Sequence, residues 1–461
     1  MAHKENGFDP EERRAAISLA AIFGLRMLGL FLILPVFAVY ALTLKGASHA
    51  SAGLALGAYG ITQTLLQVPF GMLSDRIGRK PVIAAGMLIF AVGSVVAASS
   101  HTIGWMIVGR LLQGSGAVAS VVIALVADLT RDENRTRAMG MIGGTIGMTF
   151  AFSVMLGPAL AGWLGVDGIF WLIAGLSLFS IVFLYVAVPT PKRVVHHRDA
   201  ELTPADVGRV LATPELLRLD FGIFALHLTL TALFFAVPLL LEPFLPQAGQ
   251  WKVYGPVILC SLVLMVPAII LGEVKHKLRE FFLASIALVG AAGVVIYLGR
   301  GSLAGIAIGM LLFFIGFNVL EASLPSMVSK AAPVGLRGTG IGVYNMAEFA
   351  GAGIGGAVGG ALYAHGVGSL FVALAIVAVA WLLIALTMAP IRYVTSVMVE
   401  VEGVTDEAAV AAAEAALTAV RGVREAVLYP GETTCFLKCD HKGYDLAEIK
   451  QALTEAGFAT D

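Results

Sequence analysis

The chain alternates long apolar runs with short polar joints from about residue 15 to residue 390, and then changes character. A helix that crosses a bilayer needs roughly 20 apolar residues. Twelve runs reach that length: 15–44, 50–73, 81–99, 103–128, 137–162, 167–189, 217–243, 251–272, 279–298, 302–328, 337–362 and 367–390. The longest internal joint, Pro189 to Glu215, divides six runs from six and is rich in Lys, Arg, His and Pro. Beyond Pro390 the pattern reads strand (Thr395 to Val401), helix (Thr405 to Val420), strand (Val423 to Leu428), strand (Thr433 to Lys438) and helix (Asp445 to Ala456). That order suggests a small ferredoxin-like domain whose last strand begins near Phe458. The expected fold class is therefore an all-α membrane protein of twelve transmembrane helices in two pseudo-symmetric six-helix halves. A small α+β domain follows. The boundaries expected are 1–189 and 217–391 for the halves, 190–216 for the linker and 394–461 for the tail.

An internal repeat supports the division. Arg137-Ala-Met-Gly140 recurs as Arg337-Gly-Thr-Gly340, and each opens a glycine-rich run. Two parallel halves with the substrate between them near midplane are a known transporter architecture.

Composition agrees with this pattern. The chain is 58% apolar and 13% charged, against about 25% charged in soluble domains, and its mean hydropathy is +0.88. A net charge of -1 gives no electrostatic case for nucleic acid as a partner. Charge placement orients the runs: with the N-terminus in the cytoplasm, the N-terminal tail and alternate loops hold 19 Lys and Arg, and the opposite loops hold only Lys45, Lys252 and Arg300. The positive-inside rule then places both termini in the cytoplasm. The polar start, Met1 to Arg14, leads into a run too long for a signal h-region, so no cleavable signal is read. Cys260, Cys435 and Cys439 give no oxidative framework.

Candidate chemistry begins with the joint Gly71-Met-Leu-Ser-Asp-Arg-Ile-Gly-Arg-Lys80. Asp75, Arg76, Arg79 and Lys80 mark a tight aqueous turn, because ionised groups avoid hydrocarbon. Gly71 and Gly78 permit close helix approach and a sharp turn. Inside the runs lie Arg26, Gln63, Gln67, Arg110, His227, Asn318, Glu321 and Glu348. Each is costly there unless it faces a cavity or a partner. His227, Glu321 and Glu348 are candidate proton carriers, and Arg26 and Arg110 are candidates for coupling. In the fifth run Gly143, Gly144, Gly147, Gly157, Pro158 and Gly162 form a small-residue face suited to close packing. Phe37, Tyr40, Tyr59, Phe152, Phe234, Phe235 and Tyr344 either pack or line an apolar pocket. No P-loop, H-E-x-x-H or G-x-S-x-G is present, so an ATP-driven motor, a zinc protease or a serine hydrolase has no visible machinery, and no enzyme activity is expected.

Three of these segments resemble motifs of one family. The pattern G-x-L-x-D-R-x-G-R-K at Gly71–Lys80, R-x-x-Q-G-x-G at Arg110–Gly116 and G-P-x-x-x-G at Gly157–Gly162 are similar to those of the major facilitator superfamily of transporters. The resemblance implies that Arg110 is linked to proton transfer. It also implies that Asp75, Arg79 and Asp128 form a charge network latching the two halves in the outward-facing state. The third pattern is that of the family's antiporters, although Ala161 stands where a first glycine is usual. The resemblance thus implies a bacterial inner-membrane, proton-coupled exporter of small amphipathic molecules, of the drug/proton antiporter type, working by alternating access. Other readings are a symporter or facilitator for a metabolite, and a non-transporting sensor that signals through the tail. The partners expected are an unidentified small molecule, protons and the bilayer.

The tail carries twelve acidic and five basic residues. Domains of this shape often bind soft metals through M-x-C-x-x-C in the first loop, but that loop here is Glu402-Gly-Val-Thr-Asp406. Cys435 and Cys439 would lie about 13 Å apart on a strand. A tail that binds a regulator or another subunit is expected, with no metal and no cofactor.

Overall fold

The computed structural model describes residues 7–460, except 191–205, 275–276, 334–335, 389–393, 402, 405, 429–433 and 441–442. Most of the expected linker therefore lies outside the described residues. So do the hinge at 389–393 and part of the tail's first loop.

The first helices are α1 (Pro10–Ala41), α2 (His49–Ile77), α3 (Arg79–Ala98), α4 (Ile103–Ser115), α5 (Ala119–Asp128) and α6 (Asp132–Ala187). Asp9 caps α1 through a reciprocal bond with Glu12, and Pro10 occupies the first turn, where its missing N–H costs nothing. Glu12 also accepts from the Arg131 backbone at 2.7 Å and from Asn134 Nδ2 at 2.8 Å, tying the N-terminus to the start of α6. α6 spans 56 residues and contains Gly165 at φ 71°, where the chain reverses. That backbone conformation disfavours side chains.

The run expected at 103–128 is interrupted. Gly116-Ala-Val118 separates α4 from α5. Here α4 approaches α3 so closely that a methyl group on Gly116 would lie 3.1 Å from Phe90 Cβ. The Gly116 carbonyl, freed from the helix, accepts from Arg26 Nη2 at 3.0 Å.

After the short α7 (Val207–Leu211) come α8 (Pro214–Leu241), α9 (Trp251–Val274), α10 (Leu278–Gly299), α11 (Leu303–Ala331), α12 (Arg337–Ala364) and α13 (Val367–Leu386). Among the described residues, nine helical stretches are long and apolar enough to cross a membrane, and the longest is Arg137–Ala187. The long helices α2 and α12 are not among them, because glycine and polar residues (Ser, Thr and Gln in α2; Thr, Asn and Glu in α12) replace apolar ones along their length.

Those two helices pack on each other instead of on lipid. A methyl on Gly53 would lie 2.6 Å from Gly360 Cα, and one on Gly60 would lie 2.6 Å from the Phe349 carbonyl. Gly353, Gly356 and Gly360 of α12 form this seam, while Gly351, Gly355 and Gly359 on its other flank meet α8. The contact closes the end of the bundle bearing the loops at 42–48 and 242–250. His49 packs there against Tyr363 with ring centroids 5.2 Å apart, and Gln247 Nε2 donates to the Val36 carbonyl at 2.7 Å. Trp105, Trp163, Trp171 and Trp251 are exposed at the same end, as interfacial tryptophans are.

The tail folds around its own core. Strands β1 (Val394–Glu400), β2 (Val423–Val427) and β3 (Thr434–Asp440) form an antiparallel sheet in the order β1-β3-β2. Helices α14 (Glu407–Ala419) and α15 (Leu446–Glu455) pack Leu417, Ile449 and Leu453 against Val399 and Leu437. Lys438 of β3 reaches the carbonyls of Lys330 and Ala332 at the end of α11.

The seam makes a stability prediction. Gly356→Val should lower stability by about 2 kcal/mol or more, because the added atoms meet backbone that has no room to move. Gly143→Val should leave it nearly unchanged, since nothing lies within 4 Å of that position. Thermal unfolding of the two purified variants in detergent measures the difference.

Candidate substrate and proton sites

A charge cluster sits where α2 turns into α3. Gly78 at φ 96° makes that turn. The next residue, Arg79, has a side chain only 2% exposed. Its Nε donates to Asp128 Oδ2 at 3.1 Å; its Nη1 donates to Ser74 Oγ at 2.7 Å and to the Asp75 carboxylate. The structure thus brings Asp75, Arg79 and Asp128 together from α2, α3 and α5. Arg76 points to the exterior.

A cavity of about 50 Å³ separates this cluster from Gly338, Ile341 and Gly342 of α12. The ion pairs of Arg79 with Asp75 and Asp128 are made beside this gap. A methyl at Gly71 would make only ordinary contact, 3.7 Å from Ser120 Oγ. The close approach expected at Gly71 is absent in this arrangement, because the cavity takes the place of a neighbouring helix.

The small-residue face on α6 divides in two. A methyl at Gly157 would lie 2.6 Å from the Leu32 carbonyl of α1, and one at Gly162 would lie 2.7 Å from Ala248 Cβ. Pro158 lies inside the same helix. Gly143, Gly144 and Gly147 have no neighbour within 4 Å, because they lie on the exposed side of the helix. The packing expected at Gly147 is not made here.

Both intramembrane arginines are buried. Arg26 Nη2 donates to Tyr59 Oη at 3.0 Å, to Gln63 Oε1 at 2.6 Å and to the Gly116 carbonyl. It joins α1, α2 and the break between α4 and α5. Arg110 Nη1 donates to Gln113 Oε1 at 2.7 Å, and Gln113 is itself held by Ser94 Oγ at 2.8 Å. The Arg110 guanidinium lies 5.6 Å from the Phe37 ring centre and 5.3 Å from that of Tyr59. At 2% exposure it is not reaching for the membrane surface.

On the other side, α8, α11 and α12 bring His227, Glu321 and Glu348 together. His227 Nε2 lies 3.5 Å from Glu348 Oε1 and 4.0 Å from Glu321 Oε2. One ligating atom from each falls within 4.8 Å of the others, so the donor set suits either shared protons or a divalent cation. A central cavity of about 130 Å³ has Arg110 and Tyr59 on one wall and His227, Asn345 and Glu348 on the other. Most of the remaining lining is apolar, including Met27, Phe31 and Leu230. Of the other aromatics, Phe152 is exposed and Tyr40 hydrogen-bonds Asp167.

Asp220 was not legible as a site residue in the sequence. It is buried one turn and a half into α8, and neither carboxylate oxygen has a hydrogen-bond partner. The Tyr344 hydroxyl, also without a hydrogen-bond partner, lies within electrostatic reach of Asp220, Glu321 and Glu348. The available signal was spacing: Asp220 and His227 are seven residues apart, which places them on one face of a helix.

The tail cysteines are buried in its core. Burial pushes the Cys435 thiol up to about 12 and raises that of Cys439. Both thiols stay protonated near neutrality, which disfavours metal binding and oxidation alike.

A polytopic helical membrane protein with buried charges around a central cavity is the architecture of a secondary transporter. The family model of the Major Facilitator Superfamily matches residues 19–356, and the chain belongs to that superfamily. It is a membrane-embedded transporter of small molecules and not an enzyme. It is 42% identical to the inner membrane transport protein YajR of Escherichia coli over 449 residues, covering 97% of this chain and 98% of that protein. It is 31% identical to the class G tetracycline resistance protein of Vibrio anguillarum over 247 residues, covering 53% of this chain and 60% of that one. Its fold is similar to that of a bacterial homologue of the human lysosomal transporter Spinster, solved in an inward-facing and occupied conformation. The TM-score is 0.66 at 14% identity, covering 82% of this chain and 96% of that one.

Two outcomes check this geometry. Asp128→Asn should destabilise the protein by about 3 kcal/mol, because it removes a buried partner of a buried guanidinium; Asp75→Asn should cost less, since the Asp75 side chain is 32% exposed. Thermal unfolding of both variants measures the ranking. In a Cys260→Ser background at pH 8, a soluble maleimide should leave Cys435 and Cys439 unlabelled until the tail is denatured, whereas an ordinary thiol of pKa about 8.5 reacts readily. Mass spectrometry of the labelled protein gives the answer.

Proposed function

We propose that this chain is a proton-coupled secondary transporter that moves small amphipathic molecules by alternating access. The observation that carries the reading is the central cavity. It has a buried guanidinium on one wall and His227 and Glu348 on the other, with Glu321 beside His227, inside a largely apolar lining. Acidic groups at such a depth are costly when charged and cheap when protonated. His227, Glu321 and Glu348 are the proton carriers in this reading. Arg110 holds the opposite wall, and Arg26, away from the lining, ties α1 to α2 and to the break between α4 and α5.

The reading assumes twelve spans in two pseudo-symmetric halves, 1–189 and 217–391, joined by the linker 190–216. The nine apolar stretches, the reversal at Gly165 and the length of α2 and α12 support that number. A repeated cap supports the symmetry: Lys80 at the start of α3 donates to the Val188 carbonyl at 2.6 Å, and Arg279 at the start of α10 donates to the Leu386 carbonyl at 3.0 Å. By the excess of Lys and Arg, both termini and the 71–80 joint face the cytoplasm of a bacterial inner membrane. We read the gap beside Asp75 as the open end, which is then the cytoplasmic one. The tail, 394–461, is read as a ferredoxin-like module that binds a regulator or another subunit.

Closure of the open end would bring Asp75 against the first turn of α12, whose backbone N–H groups and dipole favour a carboxylate. Gly71, Gly78, Arg79 and Asp128 position that contact, and protonation of Asp75 would release it.

Two coupling directions follow. Export in exchange for protons is supported by the G-P-x-x-x-G sequence on α6 and by the relative named for tetracycline resistance. Co-transport with protons is favoured by the cavity itself, because the cationic and acidic walls are separate and both can be occupied at once.

Internal pH in proteoliposomes bearing a preset proton gradient tests the proposal. Adding a substrate should move protons, and Glu348→Gln should reduce that flux at least about tenfold while the protein stays folded. Flux opposite to the substrate means export by antiport; flux in the same direction means symport. Unchanged proton movement in Glu348→Gln would sink the proton-carrier role. Loss of flux on adding a chelator would reassign the cluster to a metal ion.

A further inference from the structure

The electrostatics of the central cavity bear on what it carries. This step rests on the reading of that cavity as the substrate site. Arg110 is 2% exposed, yet it has no ion-pair partner among the described residues. Its Nη1 is used by Gln113, and its Nε is buried without an acceptor. The rings of Phe37 and Tyr59 flank the guanidinium without neutralising it. Arg26 also has buried nitrogens without an acceptor, Nε and Nη1, but three acceptors surround its Nη2 and it does not line the cavity, so a ligand there does not reach it.

An unpaired cation in a low-dielectric site is costly, and a planar oxyanion is its natural complement. A guanidinium offers parallel N–H donors that match a carboxylate in a two-point bond. The group is also held in place: Ser94 fixes Gln113, and Gln113 fixes Arg110. Little ordering is then required when a ligand binds. The rest of the lining is mostly apolar and suits a hydrocarbon or aromatic body. A lipophilic cation would bring a like charge beside Arg110.

We propose that the substrate is an amphipathic organic anion, and that Arg110 binds its carboxylate or similar planar oxyanion while the apolar wall takes its body. Arg110 is then a substrate-specificity residue. Glu348 and His227 across the cavity remain free to take the proton.

The test uses the full chain in detergent and three probes with one body: 4-phenylbutyrate, 4-phenyl-1-butanol and 4-phenylbutylamine. Binding is measured by calorimetry without a gradient, so failure of proton coupling leaves this result readable. The acid should bind at least about tenfold tighter than the alcohol, and the amine should bind weakest. Arg110→Gln should abolish the acid's advantage and leave the alcohol's affinity within about twofold; Arg110→Lys should keep part of it. An acid that binds no better than the alcohol, a preference for the amine, or an advantage that survives in Arg110→Gln overturns the proposal. Should Arg110→Gln fail to fold, the ranking of the three probes on the unaltered protein decides.

Discussion

Backbone-to-backbone contact between α2 and α12 is the constraint on which the rest of the structure depends. Water is absent from the bilayer core, so two helices that leave the lipid must satisfy each other by packing. Glycine at 53, 57 and 60 on one side and at 353, 356 and 360 on the other allows that approach. The contact fixes more than one end of the bundle. Tyr59 is adjacent to Gly60, and Glu348 and Phe349 lie five and four residues before Gly353. The seam therefore carries the aromatic flank of Arg110 and the acidic wall to the same cavity. Small residues do here what large apolar ones do in a soluble core: they set distances.

The second constraint is charge without water. The guanidinium of the cavity comes from α4 and the titratable groups from α8 and α12, and no direct salt bridge joins Arg110 to Glu348 among the described residues. Such an arrangement leaves each wall incomplete by itself. In the proposed reading a proton would complete one, and an oxyanion would complete the other. Farther out, Arg79 of α3 draws acceptors from both α2 and α5. It makes that corner rigid, and Asp75, its most exposed partner, is positioned to meet α12.

Much of this was legible in the sequence, for identifiable reasons. Hydrocarbon imposes length and polarity so strictly that the apolar runs follow the helices closely, and period and turn residues gave the order of elements in the tail. The charged joint at 71–80 announced itself because charge is rare between apolar runs. Three features were not legible. The break at 116–118 arises from the close approach of α3 and from the donor on Arg26, both of which are tertiary. The open faces of Gly71 and Gly147 belong to one conformation, and a glycine pattern does not say which neighbour is present. Asp220 lies near the start of an apolar run, where a carboxylate is ordinary; only its burial within electrostatic reach of Tyr344 sets it apart.

Alternating access under proton control is the central claim, and distance between spin labels tests it most directly. One pair, on Met72 and Leu217, spans the open end; another, on Lys45 and His365, spans the closed end. All four positions are exposed. Measured by pulsed electron paramagnetic resonance in lipid at two pH values, the two distances should shift in opposite senses, one shortening as the other lengthens. Distances that stay fixed, or that change together, would contradict the account.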